Sequence, residues 1–597
     1  MQKSQQPNFR FYGKQAIIFT RGKITKDAHE MAEGRLFAHT LSSFILELRA
    51  KDSPLLSIFP PTLSEAKQDE QILLAMQLLA IYPREEVLKR NPELATFFSD
   101  IHSLHQFVEG WYNYWRGFER TLICYSDSGA SNPLHAHPYT AFQGTIESLN
   151  HAIRKLYRDI CENIIHEHPK IFRQVPAGAQ VGLIISKGNW KGLPAPYEKL
   201  REISFIRQVL IEPPLLIDPP NNKRTGGYMV VESNPLESAE ILHKDWLCYP
   251  AIVGDKLIHI YFHNHFISLG TALANLFELA GESEMGKKPD AIFAYGLPES
   301  AFEKYNHRNV VFEDEKNGLL VGAVPCTDDF GYFGYLKKMA LTLHNLLAMK
   351  DGRLPVHGAM VSILLKNGGS ANVVLVGDTG AGKSESLEAF RTIGREKIRN
   401  MEVIFDDMGS LAMEGNKILA YGTEVGAFVR LDDLQPGFAF GNIDRSIIMS
   451  PQKKNARVVL PITTLESIQR GTQVDYLVYA NNYEKADSSH PYFELFKSPQ
   501  DAIEVFRQGR SMSKGTTTDT GLTQSYFANI FGPPLKMDLH ERIAEEYFAA
   551  MPRCGVKLGQ LRTQLGIIGM ESKGPEDAAR AILEELELQK TKKENIK

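Results

Sequence analysis

The chain has 597 residues, 43% hydrophobic and 23% charged, with 67 Lys and Arg against 71 Asp and Glu for a formal net charge of −4. At roughly 150 residues per domain this length reads as two or three domains, and the charge balance excludes a protein that holds nucleic acid through bulk positive charge. Its five cysteines, Cys124, Cys161, Cys248, Cys326 and Cys554, are scattered and form no CxxC pair. That argues against a disulfide scaffold or a cysteine-rich zinc site and fits a reducing, cytoplasmic setting.

The opening MQKSQQPNFRFYGK lacks a basic start followed by an apolar core, so no secretory signal is expected. No apolar run approaches the ~18 residues of a membrane span, so no membrane partner is expected either. Residues 1–170 read as a mainly helical N-terminal region, with apolar residues at helical spacing over 64–82, 99–120 and 143–166. The richest stretch, Ile72 to Tyr82, ends at Pro83 and reads as a buried helix. Residues 171–345 read as a mixed α/β region, from the short β-like runs QVGLIIS, QVLIEPPLLIDPP, GGYMVV and LIHIYFHNHFISL. Residues 346–597 read as an α/β domain with strands at ANVVLVG, EVIFDD and ARVVLPI and a helix over the C-terminal PEDAARAILEELELQKTKKENIK.

The strongest local signal is Gly377-Asp378-Thr379-Gly380-Ala381-Gly382-Lys383-Ser384, a full match to GxxxxGK[ST]. An apolar strand, Val373 to Val376, precedes it and a helix-like run, Glu385 to Phe390, follows. In that context the glycines let successive N–H groups face phosphate oxygens, and the helix N-terminus adds its positive end. Lys383 can then reach the outer phosphates and the Ser384 hydroxyl can ligate Mg²⁺. Asp406 and Asp407 end a second apolar strand, Asp407 lying 23 residues after Ser384. Carboxylates at a strand end beside a phosphate loop hold or orient a divalent metal; elsewhere the same pair reads as a helix cap or a solvated turn.

Other motifs flank these two. Tyr332-Phe-Gly-Tyr-Leu-Lys337-Lys338 and His357, in LPVHGAMVSI, come before the loop, while Lys454-Asn-Ala-Arg457-Val-Val-Leu-Pro461-Ile and Phe531-Gly-Pro-Pro come after it. Their order, from Tyr332 to about Leu583, resembles phosphoenolpyruvate carboxykinase, most closely the ATP-dependent type. The resemblance covers under half of the chain. It implies a carboxykinase-like α/β fold, residues 171–345 being the mixed α/β substrate-side domain packed on a C-terminal P-loop domain, with residues 1–170 as an added helical region of unassigned role. The implied reaction is oxaloacetate plus nucleoside triphosphate to phosphoenolpyruvate, CO₂ and nucleoside diphosphate. The resemblance also implies roles. Lys338, His357 and Asp407 would hold Mn²⁺; Lys337 would contact the transferred phosphoryl group or the substrate; Tyr332 would sit beside phosphoenolpyruvate. Lys383 and Ser384 would serve the nucleotide phosphates and a Mg²⁺, with Asp406 beside them, and Arg457 would neutralise the phosphoryl group in flight. A Lys ligates a metal only when deprotonated, and a neighbouring ammonium, that of Lys337, lowers the pKa of Lys338.

The pattern departs from that family in places. Ser384-Glu385 replaces Thr-Thr, and this variant, with His357-Gly-Ala-Met-Val, resembles HPr kinase/phosphorylase. Tyr335 stands where the family has an acid, and Lys573 and Ala579 where it has Arg and Thr. ATP is therefore the implied donor, with GTP and pyrophosphate as alternatives. The family's N-terminal substrate-binding Arg segment has no counterpart; Asn222-Lys223-Arg224-Thr225-Gly226 is the nearest basic loop, and it also reads as a surface turn. A protein-serine or small-molecule kinase and a catalytically inactive nucleotide-binding regulator remain as alternatives, and the oligomeric state is open. Three His-x-His pairs, His135/His137, His166/His168 and His263/His265, are weaker zinc candidates, because residues two apart share one strand face.

Overall fold

The computed structural model describes every residue except 1–7, 21–26, 126–137, 167–176, 189, 191, 213, 395–396, 432–441, 454, 514–520 and 596–597. The chain is mixed α/β. It divides into two compact units, one of residues 1–187 with 206–212 and the other of residues 188–205 with 213–597. Among the described residues, no helix is long and apolar enough to cross a membrane.

In the first unit, β1 (Asn8–Tyr12) and β2 (Gln15–Thr20) form an antiparallel hairpin. Among the described residues, the α-helices α1 (Ala28–Ala32), α2 (Arg35–Ala50), α3 (Glu65–Leu79), α4 (Arg84–Arg90) and α5 (Ile101–Arg116) follow. Then come β3 (Glu119–Tyr125), α6 (Pro138–Ile165) and β4 (Val181–Lys187). The helices expected near 64–82, 99–120 and 143–166 are thus α3, α5 and α6. The strands add to the helical character read from the sequence, β2, β3 and β4 pairing in parallel. α5 shows why its segment folds. Asp100 caps it by accepting from the backbone of His102 and Ser103, and Leu104, Phe107, Val108, Trp111, Tyr112 and Trp115 form its buried stripe. Each such side chain contributes roughly 1.5–3 kcal/mol of burial.

The second unit holds the phosphate loop. Its first sheet runs in the order β8 (Trp246–Val253), β9 (Lys256–His263), β10 (Ala291–Leu297), β12 (Leu319–Pro325), β11 (Val310–Asp314) and β7 (Met229–Val231), β7 being one edge. The run LIHIYFHNHFISL stops being a strand at His263. Asn264–Phe266 makes a 3₁₀ turn and Ile267–Ala272 a helix. His263 and His265 therefore do not share a strand face. The His265 N–H instead donates to His263 Nδ1 at 3.1 Å, and His265 Nε2 pairs with Asp328 at 3.1 Å. His135, His137 and His168 lie outside the described residues, as does Lys454.

α7 (Phe333–Lys350) follows and packs against strands of this sheet and of the next, so it is buried almost all round. The second sheet has the central order β16 (Lys417–Gly422), β15 (Ile398–Glu414), β13 (Leu354–Leu365), β14 (Ser370–Val376), β20 (Tyr476–Asn481) and β21 (Lys557–Arg562). β13 is antiparallel to both neighbours, while β14, β20 and β21 are parallel. Helix α8 (Lys383–Ile393) follows the phosphate loop, and the C-terminal helix Lys573–Asn595 packs against it. A small sheet of β17 (Gly426–Arg430), β19 (Arg457–Pro461), β18 (Ile447–Met449) and β6 (Leu215–Ile217) completes this part.

Candidate functional site

The loop Gly377–Ser384 leaves the C-terminal end of β14 and enters α8. Two parallel neighbours end beside it: just past β20, Asn482 donates to the Gly380 carbonyl at 2.8 Å, and just past β21, Thr563 Oγ1 donates to the Ala381 carbonyl at 2.7 Å. Gly382 has φ +95°, and a Cβ there would meet the Thr563 side chain at 2.7 Å, so the turn needs glycine. Asp378 is engaged, accepting from Ser525 Oγ at 2.7 Å and from the Thr379 N–H at 2.7 Å. Lys383 is buried and folds back on its own loop, donating to the carbonyls of Gly377 at 2.5 Å and Asp378 at 3.0 Å. Burial lowers its pKa.

A cavity of about 250 Å³ opens beside this loop, lined by Tyr332, Lys337, Lys338, Thr379, Gly380, Lys383, Ser384, Asp406, Asp407 and Arg457 among others. Adjacent residues on a regular strand point to opposite faces. Asp406 and Asp407 nonetheless line the same cavity, because Asp407 has φ +103°, which breaks the alternation. Such a conformation costs about 1–3 kcal/mol. Asp406 accepts from Ser384 Oγ at 3.1 Å at each oxygen, and burial with the Asp407 charge raises its pKa.

Asp407 is the hub. Its Oδ2 lies 2.5 Å from Lys337 Nζ and 2.7 Å from Lys338 Nζ, and its Oδ1 lies 3.0 Å from His357 Nε2. Against the cost of burial, the Lys337 and Lys338 ammonium groups hold its carboxyl well below the usual range. The two lysines are not a solvated helix face: Lys337 is 1% and Lys338 14% exposed. Burial and the Lys337 charge push Lys338 down to about 8 despite Asp407. Lys337 is pulled upward instead, because Asp407 and a second acid, Glu424 at 2.9 Å, outweigh the cost of burial. Burial in turn pushes Glu424 up to about 7.

His357, on β13, contacts the Ala528 carbonyl through Nδ1 at 2.7 Å. A carbonyl only accepts, so Nδ1 carries the proton and the lone pair is at Nε2, facing Asp407. Burial and the Lys383 charge lower the His357 pKa and disfavour the imidazolium. A neutral Nε2 and a carboxylate oxygen at 3.0 Å are two acceptors turned toward each other. Together with a Lys338 that loses its proton easily, this N/O/N donor set fits a divalent cation. Ser384 and Asp406 offer oxygens for a harder one.

Several residues here were not assigned roles from the sequence. Glu424 sits in Thr423–Gly426, between β16 and β17, where an acid reads as a turn residue. Backbone bonds pin that segment: Gly254 N–H to Thr423 O at 2.8 Å, Val425 N–H to Leu276 O at 2.9 Å and Ile462 N–H to Val425 O at 2.9 Å. A Cβ on Gly426 would lie 1.8 Å from the Asn275 carbonyl oxygen. Phe531, of the Phe-Gly-Pro-Pro motif, covers Lys338, its ring centroid 4.3 Å from Nζ, and meets the His357 ring edge-to-face at 5.7 Å. Arg430 and Arg391 line the cavity as well.

The loop Asn222–Gly226 also reaches the cavity through Lys223 and Arg224. Tyr335 ties it down: its hydroxyl accepts from Thr225 N–H at 2.9 Å and donates to Thr225 O at 3.1 Å. Asn455 donates to Asn222 O at 2.7 Å and accepts from Arg457 Nε at 3.0 Å, and the Arg457 guanidinium lies over Phe428, 5.5 Å from the ring centroid. Tyr332 packs on the same Phe428 at 5.8 Å. Tyr332, Lys337, Lys338, His357, Gly377–Ser384, Asp406, Asp407 and Arg457 therefore all lie in the second unit, around one phosphate loop, whereas His166 lies in the first unit and pairs with Glu85. No protein-family model matches the chain, and no curated protein sequence matches it.

Proposed function

We propose that the chain is a metal- and nucleotide-dependent phosphoryl-transfer enzyme of the phosphoenolpyruvate carboxykinase kind, with the corresponding α/β architecture. It would convert oxaloacetate and a nucleoside triphosphate, ATP first among the candidates, to phosphoenolpyruvate, CO₂ and the nucleoside diphosphate. One observation carries the reading: Lys338, displaced toward its neutral form, shares Asp407 with the lone pair of His357, beside a complete phosphate loop.

Lys338, His357 and Asp407 would hold Mn²⁺, and Ser384 with Asp406 would serve the Mg²⁺ of the nucleotide. Bound there, the cations supply Lewis-acid stabilisation of the enolate and phosphoryl oxygens. The protein's own groups do the rest. Lys383 exchanges its loop carbonyls for the outer phosphates, and the loop N–H groups hold the nucleotide. Lys337, kept charged by Asp407 and Glu424, gives a fixed positive charge where the enolate oxygen meets the γ-phosphoryl group. Arg224 and Arg457 would hold the substrate carboxylate and the phosphoryl group in flight. Phe428 and Phe531 keep water from the reacting atoms.

The test is a coupled assay for phosphoenolpyruvate with Mn²⁺, Mg²⁺ and oxaloacetate, run separately with ATP, GTP and pyrophosphate. Product that disappears in Lys338→Ala and Lys383→Ala supports the reading and identifies the donor. Tight nucleotide binding without product overturns it and turns the search to protein-serine or other small-molecule acceptors, for which Ser384-Glu385 is the motivating feature.

A further inference from the structure

The first unit carries a second cluster of metal-ligating side chains. His105 and Glu109 stand four residues apart on α5, and Tyr157 and Cys161 stand four apart on α6. On a helix that spacing puts each pair on one face, and the two faces meet. One ligand atom each from His105, Glu109 and Cys161 lie within 4.8 Å of one another.

Three observations point to a ligand. His105 Nε2 is buried and has no hydrogen-bond partner among the described residues; Glu109 Oε1 is 3.9 Å away, beyond bonding range. The Tyr157 hydroxyl donates to Glu109 Oε1, as the groups that orient a ligating carboxylate do. The Tyr157 ring is itself fixed, stacked on Tyr112 with centroids 4.0 Å apart. Cys161 is fully buried, and its Sγ lies within 4.8 Å of ligand atoms of both His105 and Glu109. Donors around a tetrahedral zinc, at ~2.0–2.3 Å from the metal, are ~3.3–3.8 Å apart. A contraction of about 1 Å would close the cluster on such an ion.

We propose that His105, Glu109 and Cys161 form a metal site for a borderline-soft divalent cation of the zinc class, separate from the phosphate-loop site. The nitrogen, carboxylate and sulfur donors select that class, because hard cations take oxygen ligands. Binding releases the thiol proton to solvent, and the thiolate and carboxylate together neutralise the dication. Water takes the fourth position from the edge where His105 and Glu109 are partly exposed. The ion staples α5 to α6.

Cobalt(II) is the probe, because a Co²⁺–thiolate bond gives a near-ultraviolet charge-transfer band that histidine and carboxylate ligands do not. The full-length protein, stripped with chelator, is titrated with Co²⁺. The expected result is a thiolate band with the amplitude of one Co²⁺–cysteine site per chain, displaced by Zn²⁺. The band persists in His357→Ala, is lost in Cys161→Ala, and needs about ten-fold more Co²⁺ or higher in His105→Gln. His105 is partly exposed, so that variant keeps the test decisive should Cys161→Ala fail to fold. Absence of the band in the wild type, its survival in Cys161→Ala, or no weakening in His105→Gln each overturns the proposal.

Discussion

Lys337 and Lys338 are adjacent on one helix and share a single oxygen, Asp407 Oδ2, at 2.5 and 2.7 Å, yet their proton affinities are displaced in opposite directions. Glu424, which pairs with Lys337, joins Asp407 in raising it against the cost of burial, while burial and the Lys337 charge lower Lys338. One lysine is thereby kept as a charge and the other as a potential donor of a lone pair.

That division predicts different losses. Lys338→Met is expected to abolish Mn²⁺ binding and turnover together, whereas Lys337→Met is expected to keep Mn²⁺ affinity within about ten-fold and lower turnover by about 10²-fold or more. Manganese titration followed by electron paramagnetic resonance separates the two. Wild-type affinity is also expected to fall as pH drops below about 8, by up to ~ten-fold per unit, because the proton on Lys338 competes with the metal. Flat affinity from pH 9 to pH 6 would exclude Lys338 as a ligand.

Lys383→Ala should weaken nucleotide binding by about two orders of magnitude or more and leave the melting temperature nearly unchanged. In the absence of ligand, the ammonium's hydrogen bonds are to two carbonyls of its own loop. Calorimetric titration with ATP and a thermal melt measure both. Gly382→Ala should lose binding and stability together, because its Cβ meets Thr563 at 2.7 Å and φ is +95°.

Glu424→Gln removes one of the two carboxylates holding Lys337 while preserving shape. Turnover is expected to fall about 10–100-fold with Mn²⁺ affinity little changed. An equal loss of Mn²⁺ affinity would show that Glu424 acts through Lys338 and Asp407 instead.

The parts legible in the sequence were those written in local pattern. The phosphate loop was one, since its glycines, lysine and flanking apolar runs are contiguous. α5 was another, because its six buried apolar residues recur at helical spacing. Lys337 and Lys338 were placed at the site only through the order of the motifs; their burial was not written locally, since it comes from α7 being enclosed by strands of two sheets. Nor was Glu424, whose partner lies 87 residues earlier in the chain. The His263/His265 expectation failed because apolar content continued through LIHIYFHNHFISL while the backbone turned at Asn264.

His259 gives a test of stability independent of the site. It is fully buried among Trp190, Phe205 and Tyr261, neither ring nitrogen has a partner among the described residues, and burial lowers its pKa from 6.5 to about 3. The unfolded chain therefore binds a proton that the folded chain refuses. Its contribution is fully present above pH 6.5 and is lost as pH falls toward about 3, at a slope approaching 1.4 kcal/mol per pH unit. Urea denaturation of His259→Phe across pH 4–7 should show a shallower acid decline than wild type. Parallel curves would refute the assignment.

The pinning of Thr423–Gly426 has a consequence for rate. Backbone hydrogen bonds to Gly254, Leu276, Ile462 and Thr463 and a glycine in contact with a carbonyl fix where Glu424 enters the site, so the field around Lys337 is set when the chain folds. Charge developing on a reacting oxygen then meets dipoles already oriented, and little reorganisation energy remains to be supplied during the reaction. A loosened segment, even with every charged side chain intact, would return that reorganisation to the barrier.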